Sequence, residues 1–315
     1  MESGALRVTA LAGGVGAARF LRGLVHVVPP ENITVIGNVG DDLEVHGLYV
    51  SPDLDILMYT LAGIVDEEKG WGVKGDTFNC LSMLSRYGCE TWFKLGDLDL
   101  ATHIYRTLLL RKGFKLSEVT RILCEKLGVR VRIIPVTDSP LRTVILSDKG
   151  ELQFQEYFVK LKFDVKVTGV RFAGVEEAEP AEGVLEALEE ADAVIVCPSN
   201  PVVSIGPILA VKGVREALRK TGKPVVAVSP IIGGRAVKGP ADRLMRDLGF
   251  KPSALGVAEL YRDFLKVFVI DLQDARLKPS IEALGIRVEV TGTLMKSLED
   301  SVRLAEETLK AALKR

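Results

Sequence analysis

Cysteine, histidine and tryptophan are scarce in this 315-residue sequence, which holds four, three and two of them. Cys80, Cys89, Cys124 and Cys197 form no CxxC pair, so a disulfide scaffold is not expected and a reducing setting is. His26, His46 and His103 never fall at helical spacing from one another, which argues against a zinc centre. An excess of charge is missing as well. The 41 basic and 42 acidic side chains leave a net charge of −1, so there is no global basic field to hold nucleic acid. No apolar secretory segment opens the chain, and a cytoplasmic location is expected. The longest uncharged stretch, 193–211, is interrupted by Pro198, Asn200, Pro201 and Pro207, which break and polarise a spanning helix, so no membrane attachment is expected.

What remains is the composition of a globular protein, 47% hydrophobic and 26% charged, on a chain long enough for one large core. A strand at 6–11 runs into Ala12-Gly13-Gly14-Val15-Gly16 and then into a helical pattern with Phe20, Leu21, Leu24 and Val25 on one face. A second strand, 33–36, ends in Gly37-Asn38-Val39-Gly40-Asp41-Asp42. From about 53 to 128 the pattern is helical, with Leu54, Leu57, Met58 and Leu61 sharing a face, then Phe78, Leu81 and Leu84, then Ile104, Leu108 and Leu109. Short β-rich runs follow at 131–136, 143–146, 152–158 and 165–170, with Asp148-Lys149-Gly150 as a hairpin turn.

An acidic helix near 183–190, a helix at 211–220 and a terminal amphipathic helix from Ser297 accompany the last strands. Those strands, 193–197, 224–228 and 267–270, are almost uninterruptedly apolar, as burial on both faces requires, and 287–290 completes the set. The fold class expected is α/β, a doubly wound, mostly parallel Rossmann-like sheet. It forms a single nucleotide-binding domain over 1–315, built from both chain ends around a largely helical insertion at about 53–128.

The turn holding Gly13, Gly14 and Gly16 lies between strand and helix, where backbone amides can converge on a phosphate at the positive helix end. It lacks the lysine and hydroxyl of a Walker loop, and its glycine spacing is not GxGxxG. Tight packing of strand on helix is the alternative role. Ser199 and Asn200 after one later strand, and Ser229 after another, offer small polar groups for a nucleotide, or serve as turn formers.

Carboxylates fall in three groups, Asp41 with Asp42, Asp53 with Asp55, and Asp97 with Asp99. Helix capping accounts for one such residue, with Ser51 and Pro52 fitting it well, but not for six. Facing a phosphate loop, such a cluster suits Mg2+-dependent phosphoryl transfer. A cation must answer the remaining negative charge, and Lys94, His103 and Arg106 stand near the third group, although surface pairing is the simpler reading for Arg106. Core filling is the simpler reading for Trp71, Trp92, Phe78 and Phe93.

Taken in order, these segments resemble the 2-phospho-L-lactate transferases (the CofD-like family) that build the deazaflavin coenzyme F(420). The resemblance rests on Leu11-Ala12-Gly13-Gly14-Val15-Gly16, Ser51-Pro52-Asp53-Leu54-Asp55, Trp71-Gly72, Gly75-Asp76-Thr77-Phe78, Lys94-Leu95-Gly96-Asp97 with Ala101-Thr102-His103, Pro198-Ser199-Asn200-Pro201, Ser204-Ile205-Gly206-Pro207, Ser229-Pro230-Ile231-Ile232-Gly233 and Gly256-Val257-Ala258. It implies that the terminal ribityl hydroxyl of 7,8-didemethyl-8-hydroxy-5-deazariboflavin attacks the substituted phosphorus of lactyl diphosphoguanosine, or of an enolpyruvyl donor, and that GMP leaves with the help of Mg2+. It also implies deazaflavin contacts at Asp55 and Lys94, and nucleotide contacts at Gly13, Gly14, Gly16, Ser199, Asn200 and Ser229.

On that basis Asp55 and Asp97 are the expected catalytic groups, and Asp41, Asp42, Asp53 and Asp99 the expected metal ligands. Val15 stands where relatives often carry a threonine, which removes a side-chain phosphate contact there. The partners implied are these small molecules, and an exposed apolar helix face would add a second copy of the chain as a homodimer. The rival function is a non-enzymatic regulator that binds a sugar nucleotide such as UDP-N-acetylglucosamine. A nicotinamide oxidoreductase is disfavoured by the glycine spacing.

Overall fold

The structure, a computed structural model, describes residues 6–314. Its centre is a seven-stranded sheet. The strands are β1 (Val8–Ala12), β2 (Ile33–Gly37), β3 (Arg132–Pro135), β4 (Ala193–Val196), β5 (Val225–Val228), β6 (Val267–Asp271) and β7 (Arg287–Thr291). In space they lie in the order β7-β6-β5-β4-β1-β2-β3, and every pairing is parallel. Residues of β1, β4, β5 and β6 are buried along their whole length, which is why their sequences are runs of Val, Ile, Ala and Leu without alternation. The chain leaves β1 toward β2 and β3, then returns to add β4 on the other side of β1. That reversal creates a crevice between the carboxyl ends of β1 and β4, the place where ligands collect in doubly wound sheets.

Five helices matter for the site: α1 (Gly14–Leu24), α2 (Pro52–Leu61), α3 (Asn79–Arg86), α4 (Asp97–Arg111) and α5 (Leu116–Lys126). α1 buries Phe20, Leu21 and Leu24 and packs between α2 and the terminal helix Leu298–Leu313. Truncating any one of these three side chains to alanine would cost about 2–5 kcal/mol. The terminal helix begins with a capping box, in which the Ser297 hydroxyl accepts from the Asp300 amide at 3.2 Å and the Asp300 carboxylate accepts from the Ser297 amide.

Much of the expected insertion belongs to the sheet itself. α2 packs on α1 and β3, and α5 packs on β3, so the part standing off the sheet is α3, α4 and their loops. Three further expectations change. The strand expected at 152–158 stops at Gln153, because Phe154 and Tyr157 both enter one apolar cluster with Ile145 and Val167, and a spacing of three needs a helical turn. The helix expected at 211–220 is two, Ile205–Ala210 and Val214–Lys220. Finally, α4 does not bury Ile104 and Leu108, which are 54% and 45% exposed. It turns Asp99, His103 and Arg106 inward instead. Among the described residues no helix is long and apolar enough to cross a membrane.

Candidate functional site at the sheet crevice

β1 ends at Ala12 and α1 begins at Gly14, so the chain reverses within Gly13. Gly14 has φ +75°, a conformation that an L side chain resists by about 1–2 kcal/mol. Gly13 is constrained by space, since a Cβ there would strike the Asp53 carboxylate and come within 2.9 Å of the Ser204 Cβ. Gly16 lies against the Pro198 carbonyl. α1 has no cap from its own N-cap side chain and no acid in its own first turn; Asp53 of α2 accepts from the Gly14 amide, and the amides that follow are left for an anion.

The loops after β1 and β4 meet here. The Gly13 amide donates to Ser199 Oγ at 3.3 Å, and that bond bridges the crevice floor. Asn200 and Ser229 are engaged within their own loops. Asn200 Oδ1 accepts from the amides of Val202 at 3.0 Å and Val203 at 3.4 Å, and the Ser229 hydroxyl accepts from the Ile231 amide at 3.2 Å and donates to the Ile231 carbonyl at 2.8 Å. Their side chains shape the loops that frame the crevice.

Asn38, the first residue beyond β2, ties the acidic side of the crevice together. Its Oδ1 accepts from the Gly40 amide at 2.8 Å and its Nδ2 donates to Asp53 Oδ2 at 2.8 Å and to the Val203 carbonyl at 3.3 Å. Asp53 is buried at the start of α2, and that burial raises its pKa to about 6 against the bonds from Asn38 and the Gly14 amide. Asp41 is raised as well, by burial first and then by the negative charges of Asp53 and Asp42. Its Oδ1 is buried without a hydrogen-bond partner.

Asp42 accepts from the Tyr49 and Ser51 hydroxyls, each at 2.9 Å, and its burial lifts its pKa to about 7 even with Arg142 nearby. Among the described residues no three His, Cys, Asp or Glu side chains assemble as a metal site. The set expected for the metal is therefore divided. Asp41 and Asp53 share the crevice, Asp42 gives Oδ2 to hydroxyls and keeps a buried, unpartnered Oδ1, and Asp99 lies elsewhere.

Asp99 belongs to a buried network in which α2 meets α4. Arg106 is wholly buried and grips Asp55 with two guanidinium nitrogens, Nη1 to Oδ2 at 3.2 Å and Nη2 to Oδ1. The surface pairing expected of Arg106 is thus overturned. Burial alone would weaken its hold on the proton, but the Asp55 carboxylate more than offsets this and its pKa is raised. His103 Nδ1 lies 3.2 Å from Arg106 Nη1 and its Nε2 lies 3.1 Å from Asp99 Oδ1, while the Tyr59 hydroxyl donates to Asp99 at 2.7 Å. Burial pushes the Asp99 carboxyl up, but His103 and Tyr59 hold it below the ordinary range. His103, at 1% exposure, is therefore a core residue and not a surface cation waiting for substrate.

Asp97 stands apart from both groups. Its Oδ2 accepts from the Thr77 hydroxyl at 2.6 Å and the Asn79 amide at 3.1 Å, and its Oδ1 from the Cys80 amide at 3.0 Å, so it caps α3. The hydroxyl bond first, then the amides, keep its carboxyl below the usual range. Asp76 returns the favour by accepting from the amides of Leu98 at 2.7 Å and Asp99 at 2.9 Å at the start of α4. Lys94 is exposed just before α4. Trp71 is 39% exposed and meets Phe78 edge-on at 6.4 Å, so it is not core filling, while Trp92 and Phe93 pair edge-on at 5.7 Å.

Sequence reasoning missed Asn38, and it missed the inward face of α4. The latter had a signal, for Asp99, His103 and Arg106 fall at i, i+4 and i+7 on one helical face.

Comparison with known proteins adds an independent line. A family described as "2-phospho-L-lactate transferase CofD" matches residues 8–301. A phosphoenolpyruvate transferase from Streptomyces coelicolor is 45% identical over 313 residues, 98% of each chain. A 2-phospho-L-lactate transferase from Methanothermobacter thermautotrophicus is 45% identical over 298 residues, 95% of each chain. A crystal structure of a upf0052 family member from Bacillus halodurans superposes with a TM-score of 0.66 at 16% identity, covering 96% of this chain and 99% of that one, a likeness of fold alone.

Proposed function

Since the chain belongs to the 2-phospho-L-lactate transferase CofD family, we propose that it transfers a phospholactyl or phosphoenolpyruvyl group from a guanosine diphosphate ester to the terminal ribityl hydroxyl of the deazaflavin. The hydroxyl oxygen forms a bond to the phosphorus that bears the organic acid. The bond from that phosphorus to the bridging oxygen breaks, GMP departs, and the hydroxyl proton leaves with the released phosphate or water.

The observation that carries this reading is the crevice itself, where the positive end of α1, with only its Gly14 amide taken by Asp53, meets buried carboxylates that lack a cationic partner. The residues fit a hard cation shared with a diphosphate, because Asp41 Oδ1 is buried and unpartnered and Mg2+ is usually held by one or two carboxylates plus phosphate and water oxygens. Asp41 and Asp53 would hold the ion, and Mg2+ would then neutralise the charge that develops on the phosphates.

The chain's own groups do the positioning. Gly13, Gly14 and Gly16 let the phosphates approach the main chain, and Asn38 fixes the Asp53 carboxylate that faces them. Asp55 accepts a hydrogen bond from the attacking hydroxyl. Arg106 holds the Asp55 carboxylate in place with two guanidinium nitrogens, so its part is to orient the hydroxyl. A loose phosphoryl transition state requires little more.

Incubation with the deazaflavin, the guanylated donor and Mg2+ should yield stoichiometric GMP and a phosphodiester product by mass spectrometry, and EDTA should stop both. Absence of GMP with both the lactyl and the enolpyruvyl donor would refute the assignment.

A further inference from the structure

Between α1 and α2 lies a cavity of about 150 Å3, lined by Val15, Arg19, Arg22, Thr60, Gly70 and Lys296 among others. It adjoins the crevice, since Val15 follows Gly14 directly and the lining residue Ile56 stands about one helical turn, ~5 Å, along α2 from Asp53. Its lining carries three cations, Arg19, Arg22 and Lys296, against one acid, Glu67. Arg22 is neutralised by Glu67 at 2.7 Å, but Arg19 donates only to the Met295 carbonyl at 3.3 Å. Lys238, carried on the loop after β5, brings its ammonium beside Gly70, which also touches Val15. Among the described residues Arg19, Lys238 and Lys296 form no ion pair with a carboxylate. Partial burial and the charge of Arg19 lower the pKa of Lys238, so the two cations repel one another.

We propose that this cavity seats the carboxylate of the donor's organic acid, read by Arg19 with Lys238 and Lys296 beside it. The inference rests on the transferase reading above. Both the lactyl and the enolpyruvyl donor carry a carboxylate next to the reacting phosphorus, and the crevice walls around Asp41 and Asp53 offer it no cationic side chain. The cavity one turn along α2 supplies such groups in Arg19 and Lys296, which pair with no carboxylate among the described residues. The planar fork of arginine suits a carboxylate better than a point charge does. The seat would also distinguish the true donor from other guanosine diphosphate esters of similar size.

The test compares kcat/KM for whichever of the two donors turns over with its analogue in which methyl replaces the carboxylate. The natural protein should favour the carboxylate donor by roughly ten- to hundredfold, the range of a charge-assisted hydrogen bond. Arg19→Met should bring that ratio near unity. Lys238→Met, on an exposed loop where folding is not at risk, should lower it in part. Partial unfolding of a variant cancels in the ratio. A preference that survives both substitutions, or an equal loss on both donors, overturns the carboxylate seat while leaving the transferase reading intact. If the natural protein releases no GMP from either carboxylate donor, the transferase reading falls and the seat with it.

Discussion

Two regions of the molecule hold buried acids, and they treat them in opposite ways. At the crevice, Asp41 and Asp53 lie within reach of each other's charge and meet amides and an amide side chain, but no cation. Where α2 meets α4, Asp55 is clasped by Arg106 and Asp99 is answered by His103 and Tyr59. A buried charge without an opposite charge is expensive, and folding retains it only where something else needs it. The paired acids are therefore held in place where the two helices meet without help from any ligand, and the unpaired ones mark where a ligand's positive charge is expected.

The largest expected effect comes from breaking a pair. Arg106→Met should destabilise the protein by about 3–5 kcal/mol, because it leaves Asp55 ionised and buried without compensation. Replacing Asp55 with leucine in the same chain should restore much of that loss, as read from denaturant midpoints. If Arg106→Met is as stable as the natural protein, the division between paired and unpaired acids is unsound. Next comes Gly13→Ala, whose new methyl group meets the Asp53 carboxylate. Overpacking of this kind costs about 1–3 kcal/mol, and here the loss should appear in kcat/KM as roughly a ten- to hundredfold decrease.

The two regions were unequally legible in the sequence. Strands covered on both faces announce themselves as apolar runs, and a glycine turn between strand and helix marks the end of β1. These cues fixed the sheet and the crevice before any coordinates. The α4 face was misread because hydrophobic spacing placed Ile104 and Leu108 inside. That pattern takes charge as a sign of exposure, and a charge whose partner lies 51 residues away defeats it, as Arg106 and Asp55 do. The bonds Asp97 makes were hidden for a related reason. A carboxylate at the start of one helix looks catalytic or self-capping, whereas here it caps a different helix.

The pH dependence of stability sharpens the contrast. Asp42 and Asp53 have folded-state pKa values raised to about 7 and about 6, so the folded protein binds protons more tightly than the unfolded chain. Their contribution is fully present below about pH 4, the unfolded carboxylate range, and is lost as pH rises through 6 to 7. Without Mg2+ or nucleotide, the midpoint of thermal unfolding should therefore fall from pH 5 to pH 8, by about 2–4 °C per kcal/mol lost. Asp42→Asn should flatten the upper part of that slope. The paired Asp99, whose pKa is lowered, acts with the opposite sign and loses its contribution only in stronger acid. A stability that rises steadily from pH 5 to pH 8 would mean that burial does not hold Asp42 and Asp53 in their protonated form.

The smallest effect separates capping from chemistry at Asp97. Its carboxylate accepts from two amides and a hydroxyl at the start of α3, and Asp76 does the same for α4, so the two acids lace the outer helices together. Asp97→Asn keeps the shape and one acceptor oxygen but removes the charge that favours the positive end of α3. The unfolding midpoint should drop slightly, with kcat remaining within about a factor of two. Asp76→Asn, which weakens the reciprocal cap, should behave alike. Should Asp97→Asn abolish turnover while its unfolding curve stays unchanged, this carboxylate would have to be placed with the reacting groups at the crevice, and the boundary between the two regions would move across α4.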